Sequence, residues 1–161
     1  MSKEDQGKPI GLLGALKENH LAVGCEASSW EDAVRLAGGI LVENGVAEES
    51  YIKAMIDTIR DLGPYCVIAP GIAMPHARPE DHVLDTGFSL VTLKDPVDFG
   101  SQENDPVDIV IGFAAQDKNR HVQALREIAK LFIDRSFVED VRSASSTGKL
   151  YDIIQSKRTQ L

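Results

Sequence analysis

The sequence predicts an α/β protein: a single mixed β-sheet of about five strands, sandwiched by helices on both faces. Three observations carry that expectation. Short apolar runs with strand character fill the middle of the chain, and helix-periodic segments flank them on either side. One run, Val107 to Ala115, is apolar apart from Asp108. Hydrophobicity that continuous belongs to a strand covered on both faces, which calls for helices above and below the sheet.

The elements follow in order. Met1 to Pro9 is polar with mixed charge and reads as a loose tail, so the folded domain is expected over residues 10–161. Ile10 to Glu18 has the length of a short helix, and in His20 to Glu26 the residues Leu21 and Val23 alternate with small or polar neighbours as in a strand. Ser28-Ser29-Trp30-Glu31 is a capping-box pattern, in which a Ser hydroxyl accepts from the first helical turn while Glu31 reaches back. The periodic set Ala33, Val34, Ala37, Ile40 and Leu41 follows, with Gly45 placed to end the helix. A second helix, Glu48 to Leu62, carries Ile52, Met55, Ile56 and Ile59 on one side and stops at Gly63-Pro64.

Strands are expected at Tyr65 to Ala69, closed by Pro70-Gly71, at Gly87 to Lys94, and at Val107 to Ala115. Asp117 then suits an N-cap, after which Val122, Leu125, Ile128, Ala129 and Phe132 recur at helical spacing. Shorter helices around Phe137 to Arg142 and Gly148 to Ile154 complete the chain.

Composition narrows the function. With 161 residues and 43% hydrophobic content, one domain can build its own core without staples. The formal net charge is −8, which argues against nucleic acid or an anionic membrane as the main partner. Cys25 and Cys66 form neither a disulfide framework nor a zinc pattern, which fits a reducing compartment. The N-terminus lacks the basic-then-apolar order of a signal peptide, and Pro or charge breaks every apolar run well before the roughly 18 residues of a membrane span. A cytoplasmic location is therefore expected. The common nucleotide, zinc-protease and serine-hydrolase motifs are absent, and no cofactor is implied.

Chemistry concentrates in Pro70-Gly71-Ile72-Ala73-Met74-Pro75-His76-Ala77-Arg78-Pro79-Glu80. Pro75 and Pro79 fix their own φ and bias Met74 and Arg78 toward extended backbone, so the loop holds an imidazole in one pose at little entropic cost. His76 could act as nucleophile, general base or metal ligand, or could be a plain surface histidine. A metal would draw on His76, Glu80, Asp81 and His82, whose spacing forms no standard ligand pattern. A Cys66–His76 catalytic pair conflicts with the apolar strand around Cys66, where a thiol behaves as a small hydrophobe. The second candidate is His121, four residues after Asp117. If it shares a sheet edge with His76, it lies in a first helical turn whose free N–H groups favour an anion such as phosphate; otherwise it is an exposed helix-start histidine.

Gly71-Ile72-Ala73-Met74-Pro75-His76 resembles, position by position, the G-I-A-x-P-H core of the mannitol/fructose-type enzyme IIA proteins of the bacterial phosphoenolpyruvate-dependent sugar phosphotransferase system. The likeness extends over most of the chain, through Thr86 to Leu90, the Pro96 to Gly100 turn, the Val107 to Ala115 strand and Asp117 to His121. It is closest to the ascorbate-type branch, on Gly63-Pro64-Tyr65, Ala69-Pro70-Gly71, Ala77-Arg78-Pro79-Glu80, Leu90-Val91-Thr92-Leu93-Lys94 and Asn104-Asp105-Pro106-Val107-Asp108-Ile109.

That resemblance implies a phosphocarrier. His76 would receive a phosphoryl group from the small carrier HPr and pass it to enzyme IIB, with the membrane component enzyme IIC engaged indirectly and ascorbate as the sugar. His121 matches the family's second active-site histidine, a phosphoryl stabiliser. Arg60 falls where mannitol-type members carry an arginine near the phosphoryl group, although a surface ion pair is an equal reading; Arg78 is the alternative phosphate contact. Two rivals remain: a regulatory module switched by His76 phosphorylation, and a cofactor-free hydrolase or lyase using His76 as base.

Overall fold

The computed structural model describes residues 16–78 and 82–159. The expected tail and most of the Ile10 to Glu18 helix lie outside the described residues; Glu18 instead opens a 3₁₀ turn, Glu18–His20. The strands are β1 (Leu21–Cys25), β2 (Val67–Ala69), β3 (Ile72–Ala73), β4 (Gly87–Val97) and β5 (Val107–Ala114). The helices are α1 (Trp30–Glu43), α2 (Ser50–Leu62), α3 (Lys118–Phe132), α4 (Arg135–Ser143) and α5 (Thr147–Arg158).

The strands form one sheet in the order β1-β4-β5-β3-β2. β4 and β5 are antiparallel with Phe88 opposite Phe113 and Leu90 opposite Ile111, while β1 joins β4 and β3 joins β5 in parallel. The expected mixed sheet is thus present, with the continuous apolar strand β5 at its centre. Side chains alternate across β5 from Ile109 onward: Ile109, Ile111 and Phe113 enter one core with α3, α4 and α5, and Val110 and Ala114 enter the other with α1 and α2.

Local chemistry explains the helix ends. Ser29 caps α1 by accepting from the Asp32 amide at 3.2 Å, and the acid that reaches back is Asp32, accepting from the Ser28 amide at 3.3 Å. The expected capping box is therefore displaced by one residue, and Glu31 is left to pair with Arg60. Asp117 caps α3 as expected, accepting from the Arg120 amide at 2.8 Å.

Two differences concern strands. β3 is only two residues long, below the length at which alternation is legible. β4 runs through Pro96 to Val97, where a turn was expected. It does so because the β4–β5 register shifts between Thr92 and Val97, leaving the proline, which has no N–H, out of the regular ladder.

Candidate functional site

β3 delivers the chain to the site. Ile72 and Ala73 pair with Ile109 and Val110 of β5, and the following loop keeps running beside β5. The Met74 amide donates to the Cys66 carbonyl at 2.8 Å, and the Phe113 amide to the Pro75 carbonyl at 3.2 Å. Beyond His76, the Ala77 amide donates to the buried Tyr51 hydroxyl at 2.9 Å, and that hydroxyl lies 2.7 Å from the Phe113 carbonyl. Backbone contacts thus bracket His76 on both sides.

The His76 ring is fixed as well. Its Nδ1 is 2.8 Å from the Met74 carbonyl oxygen. A carbonyl only accepts, so Nδ1 carries the proton and Nε2 keeps a lone pair. Burial lowers the His76 pKa below the ordinary 6.5, and the Met74 hydrogen bond pulls the other way. The ring is therefore neutral near pH 7, which is the form able to act as a nucleophile.

His121, in the first turns of α3, faces His76 with ring centroids 5.2 Å apart and planes at 65°. Burial and then the proximity of His76 lower its pKa too. Phe113 lies beneath both rings, 6.0 Å from His76 and 5.1 Å from His121, and Tyr65 stands edge-on to His76 at 5.6 Å. Together with Thr58, Leu62, Ala77, Arg78, Lys118 and Val122, these two histidines and Tyr65 line an open cleft of about 350 Å³. Its rim is mainly apolar, through the exposed Leu62, Tyr65 and Val122, with Arg78 and Lys118 supplying positive charge. An anion seated here would meet two imidazoles, two cationic side chains and the N-terminal end of a helix.

Of the sequence-expected residues, the structure brings His76, His121 and Arg78 together. It does not bring Arg60: the guanidinium is 3.5 Å from Glu31 and lies over the Trp30 ring at 6.0 Å. The reason is helical phase. Thr58 and Leu62, four residues apart, share the face of α2 that lines the cleft, and Arg60 sits about 200° around the helix from Thr58. Cys66 is no partner for His76 either, since burial pushes its thiol up to about 12 and keeps it protonated. Glu80 and Asp81 lie outside the described residues, and His82 Nδ1 sits 2.6 Å from the Ser50 hydroxyl. Among the described residues no group of three or more His, Cys, Asp or Glu side chains could hold a metal ion. Sequence reasoning missed Tyr51, Tyr65, Phe113 and Lys118; Tyr51 reads as an ordinary member of an apolar helix stripe, and its hydrogen bonds reach residues 26 and 62 positions away.

An open α/β sandwich with His76 and His121 facing each other across a cleft agrees with the fold and the pair of histidines that the resemblance to enzyme IIA proteins implies. Residues 15–157 match the model of the phosphoenolpyruvate-dependent sugar phosphotransferase system EIIA 2 family, and the chain belongs to that family. It is 43% identical over 145 residues to the ascorbate-specific PTS system EIIA component of Salmonella choleraesuis, covering 89% of this chain and 94% of the relative. Among solved structures it is similar to the mannitol-specific cryptic phosphotransferase enzyme IIA CmtB from Escherichia coli, at 34% identity and TM-score 0.81 over 90% of this chain and 99% of that one. A chain in the E. coli complex of enzyme IIAMTL with phosphorylated enzyme IIBMTL matches at 31% identity and TM-score 0.77, covering 88% of this chain and 97% of that one. Among the described residues, no helix is long and apolar enough to cross a membrane.

Proposed function

We propose that residues 10–161 act as one cytoplasmic phosphocarrier domain in which His76 takes a phosphoryl group from phospho-HPr and hands it to an enzyme IIB. The observation that carries this reading is the fixed His76 ring, with Nδ1 held by the Met74 carbonyl at 2.8 Å and His121 facing it at 5.2 Å. In the first step the Nε2 lone pair attacks phosphorus in line, a new N–P bond forms, and the N–P bond to the HPr histidine breaks as that imidazole leaves with its electron pair. In the second step a cysteine or histidine of IIB attacks the same phosphorus, and His76 departs with the electron pair of its N–P bond. Such a transfer needs positioning and charge stabilisation more than proton transfer. His121 donates to the phosphoryl oxygens, and Arg78 and Lys118 at the rim balance their charge. Family membership and the ascorbate-specific relative support ascorbate as the sugar served, with enzyme IIC as the distal membrane component.

The test is incubation with phosphoenolpyruvate, enzyme I and HPr, read by intact mass. Wild type should gain one phosphoryl group and lose it when an ascorbate-type IIB is added, faster than with a mannitol-type IIB. An unmodified wild type, or a His76→Ala variant modified equally, would sink the assignment.

A further inference from the structure

The geometry points to Tyr51 as a positioning residue for phosphoryl transfer: its buried phenol fixes the His76 loop to the end of β5 and so sets the His76–His121 arrangement. Tyr51 stands in the first turn of α2 and is fully buried in the α1/α2 core, yet its hydroxyl is spent entirely on the site. It accepts from the Ala77 amide at 2.9 Å and sits 2.7 Å from the Phe113 carbonyl, with the Ala77 carbonyl farther away at 3.3 Å. A phenol has one proton, so the short contact makes the Phe113 carbonyl its acceptor and leaves a lone pair for the Ala77 amide. Burial raises the phenol pKa, and the group stays protonated throughout the working pH range.

What it joins is specific. Ala77 directly follows His76, and Phe113 carries the ring that touches both imidazoles, 6.0 Å from His76 and 5.1 Å from His121. Among the described residues the loop has two attachments before His76, through the Met74 amide and the Pro75 carbonyl; at and after His76 the Tyr65 hydroxyl reaches the His76 carbonyl only at 3.5 Å, whereas Tyr51 holds the Ala77 amide at 2.9 Å. Without that hydroxyl, Ala77 and Phe113 lose their common partner and His76 can swing about its upstream attachments. Tyr51 touches no reacting atom; it acts through the backbone of Ala77 and Phe113. Misplacement of a nucleophile by a fraction of an ångström to an ångström is enough to slow an in-line transfer severely.

This inference rests on His76 as the phosphoryl acceptor, and Tyr51→Phe tests it because the ring and its packing remain. Rapid-quench transfer from phospho-HPr should show a maximal rate lowered roughly tenfold with the half-saturating phospho-HPr concentration unchanged. Nitrogen-15 spectra of the His76 ring, recorded without HPr, should show a loss of the single Nδ1–H tautomer in favour of a mixture. A Val141→Ala variant, truncated in the core on the opposite sheet face, controls for lost stability and should leave both readouts at wild-type values. In the wild-type protein the Ala77 amide should exchange with solvent as slowly as core amides.

Equal transfer rates and an unchanged tautomer in Tyr51→Phe would overturn the assignment. So would a Val141→Ala variant slowed as much as Tyr51→Phe, or a fast-exchanging Ala77 amide, a measurement that needs no variant to fold. A wild type that takes no phosphoryl group would instead fail the phosphocarrier reading, and the tautomer and exchange measurements would still judge Tyr51's hold on the loop.

Discussion

Replacing Gly71 with alanine should destabilise the protein by about 3 kcal/mol, from two separable causes. Gly71 sits at φ 76° in the turn between β2 and β3, and a residue with a Cβ loses about 1–2 kcal/mol there. The added Cβ would also fall against Arg142 Nη2 and within 3.0 Å of Asp108 Oδ1. Arg142 is the strut of this corner: its Nε donates to both Asp108 oxygens at 3.1 and 3.0 Å, and its Nη2 donates to the Pro70 carbonyl at 3.1 Å. Its side chain can swing away, at the cost of those bonds. The pair is 29% and 30% exposed, so solvent screening holds its worth to about 1 kcal/mol or less, and the bond to Pro70 adds about another 1.

Thermal unfolding followed by circular dichroism should therefore show Tm falling by about 6–12 °C. Gly45→Ala isolates the first cause, because Gly45 has φ 72° but nothing within 4 Å of an added Cβ; its loss should stay near 1–2 kcal/mol, or about 2–8 °C. In an Arg142→Ala background the extra loss at Gly71 should vanish. A Gly71→Ala variant that melts no lower than Gly45→Ala, or an extra loss that persists without Arg142, would refute the reasoning.

Other expectations follow from the cleft. His121→Ala should still accept a phosphoryl group but transfer it on the order of tenfold to a hundredfold more slowly in rapid-quench assays, since a stabiliser is lost and the nucleophile is kept. Arg60→Ala should transfer at the wild-type rate in the same assay, whereas Arg78→Ala should be slower by roughly tenfold, because only Arg78 lines the cleft. Both site histidines have pKa values held below 6.5 in the folded protein, so the transfer rate should stay level as pH falls to that value and decline only below it. The same shifts make the unfolded chain the better proton binder, so stability should drop as pH falls from about 6.5 through the lowered folded values, seen as a lower urea midpoint.

How far the sequence could be read depended on range. Elements defined by their own periodicity and caps, such as α3 behind Asp117 and the central strand β5, were legible to within a residue or so at their ends. His76 stood out because two prolines and a glycine turn are local punctuation, and His121 because an N-cap places it. β3 escaped notice because two residues cannot display a period; it exists only through pairing with β5. Tyr51 escaped for the opposite reason: its apolar ring obeys the helix stripe, and its hydroxyl answers to groups far along the chain. Arg60 shows the limit of positional matching, since a shift of two residues along α2 turns a side chain from the cleft to the Glu31 side.

The choice of a peptide carbonyl, that of Met74, as the partner of the His76 ring bears on the thermodynamics of a relay. A carboxylate there would make Nε2 more basic and speed its attack, but it would also stabilise the positively charged phosphorylated ring and so deepen the well from which the group must escape. A neutral dipole orients the ring with a much weaker pull on its charge. In the proposed relay such a station would be shallow, so that the phosphoryl group could arrive and depart with comparable ease and the direction of traffic would be left to whichever neighbour is depleted.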